Sequence, residues 1–359
     1  MRIVTQWIFI AGIISACTTA DKVLEPNSDF QSTNDPRTYP VYYAHSEIQI
    51  DGLISEEEWG RVTYSEYFVD IQGDSMPVPL YKTRFKMQWD SSRIYFAAIL
   101  EEPHIWGDIT ERDKTIYHNN DFEIFIDPDR DTHNYYEFEM NALNTVWDLK
   151  LEKPYRNRGK YNTGWNIEGL QSGTKIYGTL NNGDDIDSCW TLEVAMDWTS
   201  LMEYFDGKKF PDIGEIWKLN FSRVNWKHTW NGEKYERLKD DKGKLFPEFN
   251  WVWSPTGKID MHMPEKWGLI QFRAVTLETE KPLPDQQEKV FMELREWYHL
   301  QYSFKKKNGR FSQRIEDIKS EKMNVTEITI ESDGTFFKMS LPFKDRRAYI
   351  EDNSRVYIK

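Results

Sequence analysis

The sequence predicts an all-β protein, an antiparallel β-sandwich with a small C-terminal α+β appendage. Three observations lead there. Apolar side chains recur at alternate positions in many short runs, the period of a strand with one buried face. Long polar or aromatic loops separate these runs, and no strand–helix–strand rhythm links them. A single extended helical period occurs, and only near the C-terminus.

The elements follow in order. Ile48, Ile50 and the Asp51-Gly52 turn lead into Ser55 and Glu58, whose spacing is that of a capping box, so one helical turn should fold Trp59 against the sheet. Residues 64–68 read as an edge strand. Residues 81–89 alternate, residues 90–92 turn, and residues 94–100 complete a hairpin. Residues 101–120 form a long polar loop, a feature that tends to be functional.

Residues 122–127 and 135–140 form the central strand pair. It is joined by a turn carrying Pro128 and Asp127, Asp129 and Asp131. Tyr136, Phe138 and Met140 share one face, and Glu137 and Glu139 share the other, which is expected to face solvent. Residues 146–151, 176–180, 190–196, 216–224 and 267–272 supply further strands, with a short helix at 198–205 and an irregular aromatic segment at 225–249. The prolines of 276–284 mark a boundary, after which a helix at 285–302 and strands at 325–330, 335–341 and 355–358 make the appendage.

The N-terminus reads as an export signal. A weakly basic start is followed by an apolar run, residues 7–14, that is too short to span a bilayer, and then by small residues and Cys17. A cysteine in that place resembles a bacterial lipoprotein cleavage site, so Cys17 is the expected lipid attachment point. The expected organisation is a signal peptide at 1–16, a flexible tether at 17–41, the sandwich at 42–275 and the appendage at 283–359. The mature protein would be a cell-envelope lipoprotein, outer-membrane or otherwise periplasmic or secreted, touching membrane through its lipid alone. With Cys17 acylated, Cys189 is expected to be a buried free thiol.

Composition narrows the function. A formal charge of -13 argues against a nucleic-acid partner, which needs a positive track. Aromatic residues make up 15% of the chain, more than so polar a sequence needs for its core, so some rings are expected to form a platform for a sugar. Trp59, Trp89, Trp190 and Trp267 lie within strand or turn patterns and belong to the core.

Several segments, in this order and spacing, resemble the family 9 carbohydrate-binding modules. They are Ile50-Asp51-Gly52 with Trp59, Trp89-Asp90 with residues 94–98, and residues 120–128. Tyr136-Glu137-Phe138 with Asn141, residues 145–148, residues 190–193 and residues 217–223 complete the set. The resemblance spans roughly residues 45–273. It implies a sandwich of two antiparallel sheets, jelly-roll or immunoglobulin-like, that binds an oligosaccharide or polysaccharide, with structural calcium and no organic cofactor. It also implies a slot between two tryptophans. Trp106 is the expected first wall, with Arg112 and Asn120 as polar neighbours, and Trp226, Trp230 and Trp251 compete for the second.

Asp127, Asp129 and Asp131 place hard oxygens at alternate positions of one turn, a candidate calcium site or a solvated acidic turn. Other classes stay open. A glycoside hydrolase would need a carboxylate pair across a cleft, and no particular pair stands out. An envelope assembly protein would use the aromatic loops as an interface. The expected protein is a monomeric, non-catalytic carbohydrate binder serving glycan catabolism.

Overall fold

The computed structural model describes residues 36–274, 285–319 and 327–359. The expected signal peptide, Cys17, most of the tether and the proline-rich boundary lie outside the described residues. No described helix is long and apolar enough to cross a membrane.

The chain opens with β1 (Thr38–Tyr43), the short helix α1 (Glu57–Gly60) and β2 (Val69–Asp70). The hairpin β3 (Thr83–Trp89) and β4 (Arg93–Glu101) comes next. After it come β5 (Asp121–Asp127), β6 (Tyr135–Asn141), β7 (Val146–Leu151), β8 (Tyr161–Asn162) and β9 (Gln171–Tyr177). Strand β10 (Cys189–Asp197) and helix α2 (Trp198–Leu201) lead to β11 (Ile216–Asn225). The sandwich ends with β12 (His228–Trp230), β13 (Tyr235–Arg237), β14 (Phe249–Val252) and β15 (Gly268–Arg273).

Thirteen of these strands form one curled sheet in the order β8-β7-β6-β5-β11-β15-β1-β3-β4-β10-β9, with β14 paired to β11 and β2 paired to β14, while β12 and β13 pair only with each other. Almost every pairing is antiparallel. The exception is β1, whose first four residues fall in the segment expected to be tether and which runs parallel to both β15 and β3. It joins the two layers of the sandwich along one side. Between them sits a core that includes Phe122 and Ile124 of β5, Phe138 of β6, Phe96 of β4 and Trp190 of β10. The four tryptophans expected in the core are all buried.

At α1 the local signal was overridden by tertiary contacts. Glu58 does not close a capping box with Ser55. Its carboxylate accepts from Ser46 Oγ at 2.7 Å and Gln88 Nε2 at 3.4 Å, and the helix has no side-chain cap. Trp59 Nε1 donates to Glu193 Oε1 on β10 at 2.6 Å, while Gly52 N donates to Glu193 Oε2 at 2.9 Å. Gly52 has φ +88° and lies so close to β9 that a Cβ would sit 2.5 Å from the Thr174 carbonyl carbon, so two constraints require glycine there. Cys189 is buried, and no free cysteine occurs among the described residues, which corrects the expected free thiol.

The appendage consists of helix α3 (Gln286–Asn308) and a meander of β16 (Thr329–Ser332), β17 (Phe337–Phe343), β18 (Arg346–Glu351) and β19 (Val356–Ile358). Asp285 caps α3 by accepting from Gln287 N, and Gly309, at φ 73°, ends it. The helix outruns the expected 285–302 because its last turn carries Lys305, Lys306 and Lys307, which suit a helix C-terminus. The appendage has a core of its own, centred on Phe291, Leu294, Trp297, Phe337 and Ile350.

Its docking onto the sandwich is polar. Buried Lys218 of β11 contacts Glu288 of α3 at 2.8 Å, and Arg295 contacts the same carboxylate at 3.1 Å. At the turn between β5 and β6, Arg130 pairs with Asp285, Arg355 pairs with Asp131 at 2.8 Å, and Thr132 Oγ1 donates to Ser354 O at 3.0 Å. The acidic turn is thus clamped by the appendage.

Candidate functional site

One rim of the sandwich is built by the loops at 102–120 and 226–248. A buried polar network anchors both. Glu102, just past β4, accepts at Oε2 from Arg223 Nη2 at 2.6 Å, Asn225 Nδ2 at 3.0 Å and Asn120 Nδ2 at 3.1 Å. Asn120 also accepts from Trp226 N at 2.8 Å, so one side chain ties the first loop to the second. Trp226 Nε1 donates to Tyr117 O at 2.7 Å, and the Arg237 guanidinium lies 4.6 Å from the Trp226 ring.

Between these loops lies a groove of about 670 Å³, lined by residues including Trp106, Asp108, His118, Tyr235 and Arg237. Trp106 is 4% exposed, and its Nε1 is buried without a hydrogen-bond partner. Asp108 accepts from Asn119 Nδ2 at 2.7 Å, and Tyr235 OH donates to Asn182 O at 2.9 Å. Burial and the Arg237 charge hold the His118 imidazole below its ordinary value, which favours a neutral ring. The groove therefore combines an indole, a phenol, an imidazole and both signs of charge.

The structure sorts the sequence-derived residues. Trp106 borders the groove, whereas Trp226 does not line it as a second wall: it is 7% exposed and packs in one buried cluster with Trp106 and Tyr235. Trp230 packs against Tyr235 with ring centroids 5.0 Å apart and covers Gly183, where a Cβ would fall 2.2 Å from the indole Cγ. Trp251 is not a wall. It is 2% exposed and belongs to the core, 5.5 Å from Phe249 and 5.3 Å from the Arg223 guanidinium. Its strand neighbour across β11 is Arg223, so its side chain points inward. Asn120 is buried, and its amide joins the two loops through Glu102 and Trp226; it does not line the groove. Arg112 pairs with Asp148 and donates to Asn166 at 3.0 Å, and it does not line the groove.

A second cluster lies on the outer face of the central strands. Glu137 and Glu139 do not face solvent as expected; both are buried, together with Asp121 and Glu123. The cause is the loop above them, whose Tyr117 N donates to Glu139 Oε2 at 3.0 Å. Burial first, and then Glu248, push the Glu123 carboxyl up to about 7. Burial and the surrounding carboxylates push Asp121, Glu137 and Glu139 well above the carboxylate range. Sequence reasoning saw these residues as a polar strand face; only the covering loop makes them a cluster.

At the acidic turn, one carboxylate oxygen each of Asp127, Asp129 and Asp131 lies within 4.8 Å of the others. Asp127 accepts from Arg130 N and Thr132 N, both at 3.0 Å, and Asp131 accepts from His133 N at 2.7 Å as well as pairing with Arg355.

Fold and groove together define a β-sandwich module with a loop-built aromatic groove at one rim. Residues 50–211 match the family described as carbohydrate family 9 binding domain-like. No curated protein matches the chain. Among solved structures, a candidate carbohydrate-binding protein from Bacteroides uniformis is similar at 14% identity, over 67% of this chain and 100% of its own, with a TM-score of 0.48. A family 9 carbohydrate-binding module from Caldicellulosiruptor kristjanssonii in complex with glucose is 16% identical over 68% of this chain and 100% of its own, with a TM-score of 0.40. A cellotriose complex of a module from the same organism is 15% identical over 69% and 100%, with a TM-score of 0.41.

Proposed function

We propose that this protein binds a carbohydrate chain, an oligosaccharide or polysaccharide, in the groove beside Trp106, and that it does so as an exported envelope lipoprotein serving glycan breakdown. One observation carries the binding reading. In a chain with a segment that matches the carbohydrate family 9 binding domain-like family, the rim loops border a groove lined by Trp106 and Tyr235 together with Asp108, His118 and Arg237. A sugar presents C–H groups to an aromatic face and hydroxyls to polar side chains. Asp108, His118 and Arg237 line the same groove and carry groups that can hydrogen-bond to hydroxyls.

Isothermal titration against xylo- and cello-oligosaccharides tests this directly. Trp106→Ala is expected to weaken binding tenfold or more, the equivalent of about 1.4 kcal/mol. Arg237→Met, which keeps the aliphatic packing, should weaken it less. Wild-type protein that binds none of these sugars, or Trp106→Ala with unchanged affinity, would sink the reading.

The envelope anchor rests on the sequence around Cys17. Labelling cells with an alkyne fatty acid should tag the wild-type protein and leave Cys17→Ser untagged. The chain has two cysteines, so lipid on Cys17 and a Cys17–Cys189 cross-link exclude each other. Intact mass under non-reducing conditions separates the two, and a cross-linked chain without label would remove the anchor.

A further inference from the structure

The buried carboxylates on the outer face of β5 and β6 are not explained by the groove. Glu123 sits directly opposite Glu139 in the strand register, and Asp121 is the next residue along on that face of β5. Like charges placed opposite one another on paired strands destabilise a sheet. No salt bridge joins Asp121, Glu123, Glu137 or Glu139 to a lysine or arginine among the described residues. The charge of Arg223 is felt at Asp121, but its ion pair is with Glu102.

Three features point to a missing positive charge. One oxygen each from Asp121, Glu123 and Glu139 lies within 4.8 Å of the other two. Oxygens bound to one calcium ion lie about 2.3–2.6 Å from it, so any two are at most about 5 Å apart. The strands already hold the three groups at that spacing. Second, Asp121 is fully buried, and although its Oδ1 accepts from Val224 N at 3.2 Å, its Oδ2 has no partner. A buried, unpaired carboxylate oxygen is costly unless something coordinates it. Third, the acidic turn offers a contrast: Asp131 there already has Arg355 as counter-charge.

We propose that Asp121, Glu123 and Glu139 form a binding site for a hard divalent cation, calcium or manganese, with Glu137 beside it as a further carboxylate. The donor set is all oxygen, which suits calcium, manganese or magnesium and disfavours the softer metals that seek nitrogen or sulfur. The site is distinct from the Trp106 groove, so it stands or falls independently of sugar binding. Its ion would tie β5, β6 and the covering loop together at the base of the rim.

The test uses the full chain, stripped with a chelator and titrated calorimetrically with calcium, manganese or magnesium chloride alone. One equivalent should bind, with a rise in melting temperature of several degrees. Glu139→Gln and Asp121→Asn should each weaken binding tenfold or more. Both are near-isosteric and remove repulsion, so each metal-free variant should melt at or above the metal-free wild type, which shows that it has folded. Manganese paramagnetic resonance gives a second readout, with bound ion lost in the same variants. No binding at millimolar ion would overturn the proposal. So would binding that survives Glu139→Gln and Asp121→Asn but disappears in Asp129→Asn, which would move the ion to the turn.

Discussion

Arg223→Met is expected to cost about 3–5 kcal/mol of stability, the usual penalty for breaking a buried ion pair from one side. Arg223 and Glu102 are both buried and 2.6 Å apart, and Arg223 Nη1 also donates to Thr83 Oγ1 at 3.0 Å. Methionine fills much of the same volume but leaves the Glu102 carboxylate without a counter-charge. Asn120 and Asn225 would still donate to it, so the strands should stay paired while the two rim loops loosen. Chemical denaturation should show the loss, and oligosaccharide affinity should fall with it. Glu102→Gln combined with Arg223→Met should recover much of the stability, because the stranded charge is then gone. If the double variant proves no more stable than the single one, the penalty comes from lost packing against Trp251, not from charge.

Glu288→Gln is expected to have a comparable effect at the junction with the appendage, again about 3–5 kcal/mol. Glu288 is the shared counter-charge of Lys218 and Arg295, all three being buried. Burial pushes the Glu288 carboxyl up, but Lys218 and Arg295 outweigh it and hold it below its ordinary 4.5. Burial also pulls the Lys218 ammonium down to about 8, so it is charged at neutral pH. The sign for Glu288 follows. Its folded value lies below its unfolded one, so its contribution is complete above about pH 4.5 and fades as the pH falls through the lower folded value. Wild type should begin to release the appendage in that acid range. Glu288→Gln should show the release already at neutral pH. Limited proteolysis across the 275–284 boundary, followed with pH, reads this out. An appendage that stays protected in Glu288→Gln would mean that the clamp at the acidic turn suffices by itself.

That clamp shows how a local reading can be right in pattern and incomplete in meaning. Asp127, Asp129 and Asp131 are legible as alternating oxygens on a turn, but Arg355 and Ser354, more than two hundred residues later, decide what surrounds them. The same holds for Trp251. Its position in an aromatic stretch near other loop tryptophans suggested a ligand wall, yet its pairing opposite Arg223 turns the ring into the core. Trp106 is an intermediate case: it borders the groove, as a tryptophan in a long polar loop suggests, but at 4% exposure most of its ring is covered by neighbouring side chains.

The sequence by itself determined the strands, because alternation of apolar and polar residues sets which face of each strand seeks the core. It also placed the long loops and the late helix, although the reading of 285–302 from periodicity stopped short of the cap at Gly309. Only the tertiary structure decided which polar residues are buried. Glu137 and Glu139 look solvent-facing from alternation alone, and they lie inside because the loop bearing Tyr117 folds over them. Periodicity reports the face of a strand; it does not report what a distant segment lays across that face.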